Sequence, residues 1–247
     1  MRALSGQELV RVWEVGLGQH PLDQALTILT SALPEMSRDK LIALSVGQRD
    51  ACLLAVREQT FGSRLVSLAT CPSCQEKLEF VLNVADMQTA PTIEGAMKVA
   101  PTVQSMTIDG CELHFRLPNS LDLAAIVGSS DVVAARSLLV QRCVLQASQD
   151  GVEVAVEALP EMVITALAAQ MEERDPLAEI QIDLDCLACD YHWQILFDIV
   201  SFFWTEISAQ TKRLLREVHT LARAYGWREA DILSMSTARR QFYLEMV

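Results

Sequence analysis

The sequence predicts an α+β fold in which helical regions flank a middle region of short strands. Apolar residues recur at helical spacing in the first 65 residues and again in the last 43. Between these regions, short runs alternate apolar and polar residues, as half-buried strands do. We therefore expect three segments, residues 1–68, 69–204 and 205–247.

The N-terminal segment opens with a helix-start signal. Ser5 and Glu8 have the spacing of a capping box, in which each side chain accepts a hydrogen bond from the other residue's backbone N–H. Pro21 opens a second apolar run, and Ser37 can cap a third helix. We expect residues 1–68 to be helical.

The middle segment mixes strand and helix patterns. Gln104–Ile108 and Glu112–Leu117 flank Asp109-Gly110, a strong hairpin-turn signal. The other patterns predict, in chain order, a strand over Lys77–Val84, one helix over Leu121–Gln146, a turn at Asp150-Gly151 before a strand over Val152–Val156, a helix over Pro160–Met171, and strands over Ile180–Leu184 and Tyr191–Ile199.

The last segment predicts a helical hairpin. Apolar residues from Ile207 to Leu221 fall near helical spacing. Gly226 is suited to end that helix, because glycine readily adopts the left-handed C-cap conformation. Glu229–Val247 then forms a second helix or two short ones.

The chain has 247 residues and a formal net charge of −12 at pH 7. A negative protein repels phosphate, which disfavours general nucleic-acid binding. The charge is uneven, since residues 150–190 hold eleven acids and one base, whereas residues 205–247 hold seven bases and five acids. The acidic stretch is either a solvated face or a docking surface for a basic partner.

Apolar runs in the sequence are too short for a membrane span. None reaches ~18 uncharged residues, and the nearest, Tyr191–Trp204, contains Asp198. The first residues lack the apolar core of a signal peptide. We expect a soluble cytoplasmic protein, in which the reducing environment keeps the seven cysteines from forming a disulfide framework.

Four of the cysteines stand in two Cys-x-x-Cys motifs, each followed by a strand pattern. Such a turn lets both sulfurs reach one metal ion, and four thiolates are the tetrahedral set that Zn²⁺ prefers in structural sites. The expected zinc ligands are Cys71, Cys74, Cys186 and Cys189. A redox pair and unrelated free cysteines are the alternatives.

The two motifs lie far apart in the sequence. Between Cys74 and Cys186 there are 111 residues, whereas a compact zinc ribbon has ~15–20 at that point. One shared site therefore requires a split ribbon, with the hairpin and helices of about residues 85–180 inserted between its halves. The entropy of closing a loop grows slowly with its length, so this arrangement is physically allowed.

Signatures of catalysis are missing from the sequence. It contains no nucleophile elbow, no Gly-rich phosphate loop and no His-Glu-x-x-His motif. His192, three residues after Cys189, could compete as a metal ligand but more often would lie on the strand surface. A closed four-thiolate site leaves no position for a reactive water, so we expect no enzymatic activity.

The C-terminus combines arginines with aromatic residues. This composition is typical of a binding hot spot. The expected partner-binding residues are Arg239, Arg240, Phe242 and Tyr243. The alternative is a charged helix face above a buried stripe.

Three C-terminal runs resemble the signature of the T-even phage baseplate hub assembly chaperone family. They are Leu214–Trp227, Ile232–Ser236 and Arg239–Glu245. Larger members of that family, from phage tail and contractile injection system clusters, are similar to this chain elsewhere. The further similar features are the paired cysteines, Phe197-Asp198 followed by Phe203-Trp204, Phe115–Pro118 and, more weakly, Val46–Asp50.

This resemblance implies a non-enzymatic protein that helps to build the baseplate hub of a contractile tail through contacts with hub proteins. It supplies no zinc ligands, which rest on spacing alone. Two other functions stay open. One is a structural baseplate subunit that remains in the particle. The other is a zinc-ribbon adaptor or regulator that binds nucleic acid or polymerase, although the net negative charge opposes direct nucleic-acid binding.

Overall fold

The structure is a computed structural model that describes residues 1–87 and 103–247. Within these residues the helices are α1 (Gly6–Gly16), α2 (Pro21–Ala32), α3 (Arg38–Ile42), α4 (Val46–Phe61), α5 (Val84–Met87), α6 (Ser120–Ile126), α7 (Val132–Cys143), α8 (Glu161–Arg174), α9 (Ile199–Tyr225), α10 (Glu229–Ser234) and α11 (Thr237–Leu244). The strands are β1 (Arg64–Thr70), β2 (Lys77–Asn83), β3 (Gln104–Ile108), β4 (Cys111–Phe115), β5 (Val144–Gln149), β6 (Val152–Glu153), β7 (Ile180–Asp185) and β8 (His192–Phe197). The α+β class is confirmed.

The chain divides into two compact units. The terminal unit comprises Met1–Met36, Leu53–Ser63 and Asp198–Val247, and the cysteine unit comprises Ser37–Cys52 and Arg64–Phe197. The division into residues 1–68, 69–204 and 205–247 stays a prediction about sequence segments. None of the described helices is long and apolar enough to cross a membrane.

The terminal unit is helical and is built around α9. Buried side chains recur along this helix every three or four residues, at Phe203, Ile207, Thr211, Leu214, Val218 and Leu221. This stripe faces α1 and α2, because an amphipathic helix is stable when its apolar face is covered. Ser5 and Glu8 form the expected capping box at the start of α1, and Gly226 (φ 69°) ends α9.

A four-stranded antiparallel sheet in the order β3–β4–β5–β6 lies in the cysteine unit. Helix α8 covers one face and buries Val163 and Leu167 against Leu113 and Phe115 of β4. The turn before β4 takes the backbone into the left-handed region at Asp109 (φ 53°) and Gly110 (φ 74°), as the Asp-Gly sequence predicts.

The prediction of a single helix over Leu121–Gln146 is wrong, because two helices and the start of β5 occupy this range. The chain leaves the helix at Gly128 (φ 83°), and the Asp131 carboxylate then caps α7. Residues of β5 pair with β4, and this non-local pairing overrides the local helical pattern. The inserted hairpin is therefore part of a four-stranded sheet.

Two strand boundaries also differ from those predicted from the sequence. The strand expected over Val152–Val156 ends at Glu153, and Val156–Ala158 form a 3₁₀ turn. Strand β1 begins at Arg64, inside the segment expected to be helical. The structure thus places a strand before the first cysteine motif as well as after it.

Candidate metal centre

Each Cys-x-x-Cys motif forms the turn of a two-stranded antiparallel hairpin. The first motif joins β1 to β2, with Thr70 opposite Lys77 as the last pair before the turn. The Cys71 N–H donates to the Glu76 carbonyl at 2.9 Å, and the Gln75 N–H donates to the Cys71 carbonyl at 3.0 Å. These bonds fold the turn tightly around the two thiols.

The second motif repeats this backbone geometry between β7 and β8. The Cys186 N–H donates to the Tyr191 carbonyl at 3.0 Å, and the Asp190 N–H donates to the Cys186 carbonyl at 2.8 Å. Asp190 (φ 55°) and Gln75 (φ 63°) occupy the same left-handed position in their turns. The two turns therefore present their sulfurs in the same way.

The two turns bring four sulfurs together. All four Sγ atoms, from Cys71, Cys74, Cys186 and Cys189, lie within 4.8 Å of one another. The Cys71–Cys189 and Cys74–Cys186 Sγ distances are 3.7 and 3.5 Å. Four sulfurs ~2.3 Å from a zinc ion lie about 3.8 Å apart in a regular tetrahedron, so the donor set fits that ion.

Burial differs within each pair of cysteines. The first cysteine of each turn, Cys71 or Cys186, is buried, whereas the second, Cys74 or Cys189, is exposed. The site is thus closed on the protein side and lies at the surface on the other. That placement is open enough for a metal ion to enter.

The close approach of the thiols perturbs their acidity. Burial raises the pKa of Cys71, but hydrogen bonds from the backbone N–H groups of Cys74 and Ser73 outweigh it and lower this pKa to about 7. A backbone hydrogen bond at Glu76 lowers the pKa of Cys74, but the adjacent Cys189 thiol and burial raise it to about 12. A divalent cation would let all four groups be thiolates together.

The other candidate ligands lie apart from this group. Among the described residues, His192 is not part of the cluster and instead contacts Asp185 on the neighbouring strand. Cys52, Cys111 and Cys143 are buried, as expected of small core residues. Burial raises the pKa of Cys52 and of Cys143 to about 11, which keeps both thiols protonated.

A family model described as T4 bacteriophage base plate protein matches residues 19–204, which is most of the chain. The chain belongs to this base plate family. No curated protein and no solved structure matches it. Membership supports a role in the phage baseplate and interaction with other baseplate proteins. The matched range contains all four clustered cysteines, whereas the three C-terminal runs described above lie entirely beyond it.

The C-terminal residues of this base plate protein divide into buried and exposed members. Arg240 is 5% exposed, and its guanidinium donates to Glu217 Oε2 at 3.1 Å and to the Met235 carbonyl at 2.7 Å. These bonds hold α11 against α9 within the terminal unit. The visible contacts of Arg240 are therefore intramolecular, and its role in partner binding stays a prediction.

Phe242 is 61% exposed, and Arg239 is exposed beside it. The Arg239 guanidinium lies 5.7 Å from the ring centroid of Tyr243, within cation–π range. The Tyr243 ring packs edge-on against Trp227 at 4.8 Å, and Trp227 stacks on Tyr225 at 4.5 Å. We call these five residues the aromatic–arginine surface.

Some important polar contacts were not identified from the sequence. The buried Asp175 carboxylate accepts hydrogen bonds from the Ser45 hydroxyl at 2.9 Å and the Gly47 N–H at 3.0 Å. It thereby caps the start of α4 and ties it to the segment that precedes β7. The Val46–Asp50 run pointed to this region, but nothing in the sequence pairs it with a residue about 130 positions away.

Proposed function

We propose that this base plate family member is an assembly chaperone for the baseplate hub of a contractile phage tail or injection system. The observation that carries the proposal is the aromatic–arginine surface, whose aromatic rings pack against one another while Phe242 and Arg239 stay exposed. Aromatic and arginine side chains supply much of the binding energy in protein interfaces. The protein acts by contact and is not an enzyme.

A chaperone of this kind shields a partner that is waiting to assemble. Before assembly, a hub protein exposes interface surfaces that tend to aggregate. A soluble partner with net charge −12 can cover such a surface and keep the complex dispersed. The aromatic–arginine surface would make the contact and be released when the correct neighbour arrives.

The four clustered cysteines would hold one structural Zn²⁺ in this protein. The ion would supply four metal–thiolate bonds that join two hairpins separated by 111 residues of sequence. With all four positions taken by sulfur, no site remains for a reactive water. The metal would therefore contribute folding free energy, not catalysis.

A structural baseplate subunit that stays in the particle is the second candidate. The family match favours it, because the match covers residues 19–204 and its description is that of a base plate protein. The two candidates differ in one measurable property, which is whether the chain remains after assembly. A zinc-ribbon adaptor is the remaining alternative, and binding to DNA or heparin resin at low salt would support it.

The experiment is a tagged pull-down from cells that are making particles, analysed by mass spectrometry beside the purified mature particle. The test variants are Arg239→Glu and Phe242→Ala, which change exposed side chains. Arg11→Glu and Leu17→Ala are matched controls, since both residues are also exposed in the terminal unit. Arg240 is left unchanged, because its loss would disturb the packing of α11.

A chaperone co-purifies with hub proteins, is missing from the mature particle, and loses the hub proteins in the two test variants alone. A structural subunit appears in the mature particle at fixed stoichiometry. If the test variants capture hub proteins as well as the controls do, the aromatic–arginine surface is not the contact. If no tail protein is captured at all, the chaperone proposal is wrong.

A further inference from the structure

Helix α7 has a composition that suits a buried helix, yet it lies at the surface of the cysteine unit. It reads Val-Val-Ala-Ala-Arg-Ser-Leu-Leu-Val-Gln-Arg-Cys, and of these twelve residues Cys143 is the one that is buried. Val132 and Val133 are 80% and 74% exposed. A helix with apolar residues on all sides is ordinarily covered on all sides. The exposed side of α7 therefore lacks a cover within the described residues.

A groove runs beside this helix. It has a volume of about 400 Å³ and lies between α7, the 3₁₀ turn Val156–Ala158 and the start of α8. Its apolar lining comes from Val132, Val133, Val140, Val156 and Ile164. A groove of this volume accommodates a few large apolar side chains from one face of a helix.

The charged residues of the groove favour a basic occupant. Arg136 and Glu161 pair with each other across it, whereas Glu157 has no ion pair within the part of the chain that the structure describes. Among the described residues that line the groove, two are acidic, Glu157 and Glu161, and one is basic, Arg136, so the charge of the lining is net negative. Complementary charge steers association and rejects partners of the wrong sign.

We propose that the α7 groove is a docking site for a basic amphipathic helix of another protein. The partner helix places apolar side chains against Val133 and Val140 and directs lysines or arginines at Glu157 and Glu161. This binding mode uses apolar anchors spaced at i, i+3, i+4 and i+7 on the incoming helix. It is independent of the aromatic–arginine surface, which is basic and suits a partner of opposite charge.

The test uses two synthetic peptides of about 14 residues, long enough to form a helix on binding. Both carry the same leucine face, and the remaining positions are lysine in one peptide and glutamate in the other. Fluorescence anisotropy measures their binding to the full chain. The test variants are Val133→Glu and Glu157→Lys.

The matched control is Met162→Glu. Met162 and Val133 are both exposed second residues of a helix, and Met162 does not line the groove. An acidic side chain is favourable in the first turn of a helix, so both substitutions leave the fold intact.

The lysine peptide should bind at least about tenfold more tightly than the glutamate peptide, and added salt should weaken it. Val133→Glu and Glu157→Lys should each weaken this binding, and Met162→Glu should leave it unchanged. Equal binding of the two peptides, no binding of either, or an equal loss in the control overturns the proposal. Self-association of the chain that Val133→Glu abolishes, seen by light scattering, also overturns it, because the occupant is then a second copy.

Discussion

The two cysteine hairpins share their turns and differ on their strands. Both turns have the same pair of backbone hydrogen bonds and the same left-handed residue after the second cysteine. On the exposed face of its first strand, the first hairpin carries Val66 and Leu68, whereas the second carries Asp183 and Asp185. The turn geometry is constrained by four sulfurs converging on one point. The exposed faces carry no such constraint and can vary in chemistry.

The hairpins also differ in how they are anchored. In the first hairpin, Leu65 of β1 is fully buried, and so is Val84 directly after β2. The second is preceded by Asp175, which is held by the Ser45 hydroxyl and the Gly47 N–H. The second hairpin also buries apolar residues, Leu184 and Phe197, so what distinguishes it is the buried carboxylate of Asp175 in the segment before it. That titratable group should make the stability of this half respond to pH.

The loss of one cysteine from either turn should lower the stability of the protein more than any other change considered below. Cys71→Ser and Cys186→Ser should each lower the free energy of unfolding by more than about 4 kcal/mol, because metal loss is among the costliest single changes. Chemical denaturation with and without a chelator measures it, with Cys111→Ser as a control that leaves the cluster intact. A large loss in one turn and none in the other would contradict a shared ion.

The next effect concerns the polar anchor of the second hairpin. Asp175→Ala leaves the Ser45 hydroxyl and the Gly47 N–H without their acceptor, which should cost about 1–3 kcal/mol for each buried group left unpaired. Gly47→Ala should also destabilise, since a Cβ there would lie 2.3 Å from Asp175 Oδ1. Urea denaturation of both variants measures the cost. An unchanged midpoint in both would show that the anchor contributes nothing.

The third prediction concerns how stability depends on pH through the Asp175 carboxylate. Burial raises the pKa of Asp175 above its usual 3.8, although hydrogen bonds from Gly47 and Ser45 partly oppose this. The folded state then binds the proton more tightly than the unfolded state. Burying the charged carboxylate costs folding stability, and this cost is fully present at pH values above the pKa of the folded state. The cost is relieved as the pH falls through the folded-state pKa towards the usual value of 3.8. Relative to Asp175→Asn, the native protein should therefore gain stability on acidification, and parallel pH profiles would contradict this.

Smaller effects should come from the left-handed residues of the two turns. Gln75→Gly and Asp190→Gly remove the steric cost of a side chain at positive φ, so each should stabilise by about 1 kcal/mol or less. The gain should be larger at Gln75, because Asp tolerates this conformation better than Gln. Thermal unfolding compares the two variants. A loss of stability in either would mean that its side chain has a role in the turn.

The smallest effects should come from the exposed strand faces. Leu68 and Leu196 are 73% and 63% exposed on the first and second hairpins. Leu68→Thr and Leu196→Thr should each change the free energy of unfolding by no more than about 0.5 kcal/mol, as exposed substitutions usually do. Metal content should stay the same. A change in metal content would show that the strand faces help to shape the site.

Local chemistry made the turns predictable and left the sheet unpredictable. Cys-x-x-Cys spacing and Asp-Gly turns act within a few residues, and those features agree with the structure. Strand β5 depends on pairing with β4 about 30 residues earlier, so its residues looked like the end of a helix. The burial of Arg240 depends on Glu217, which lies 23 positions away. Such contacts leave no periodic signal in a single sequence.

The most direct test of a single metal shared by both turns is native mass spectrometry of the full chain expressed with zinc. We expect one zinc ion per chain in the native protein and none in either Cys74→Ser or Cys189→Ser. Two ions per chain, or one ion that survives the loss of either turn, would contradict a site built jointly by the two hairpins.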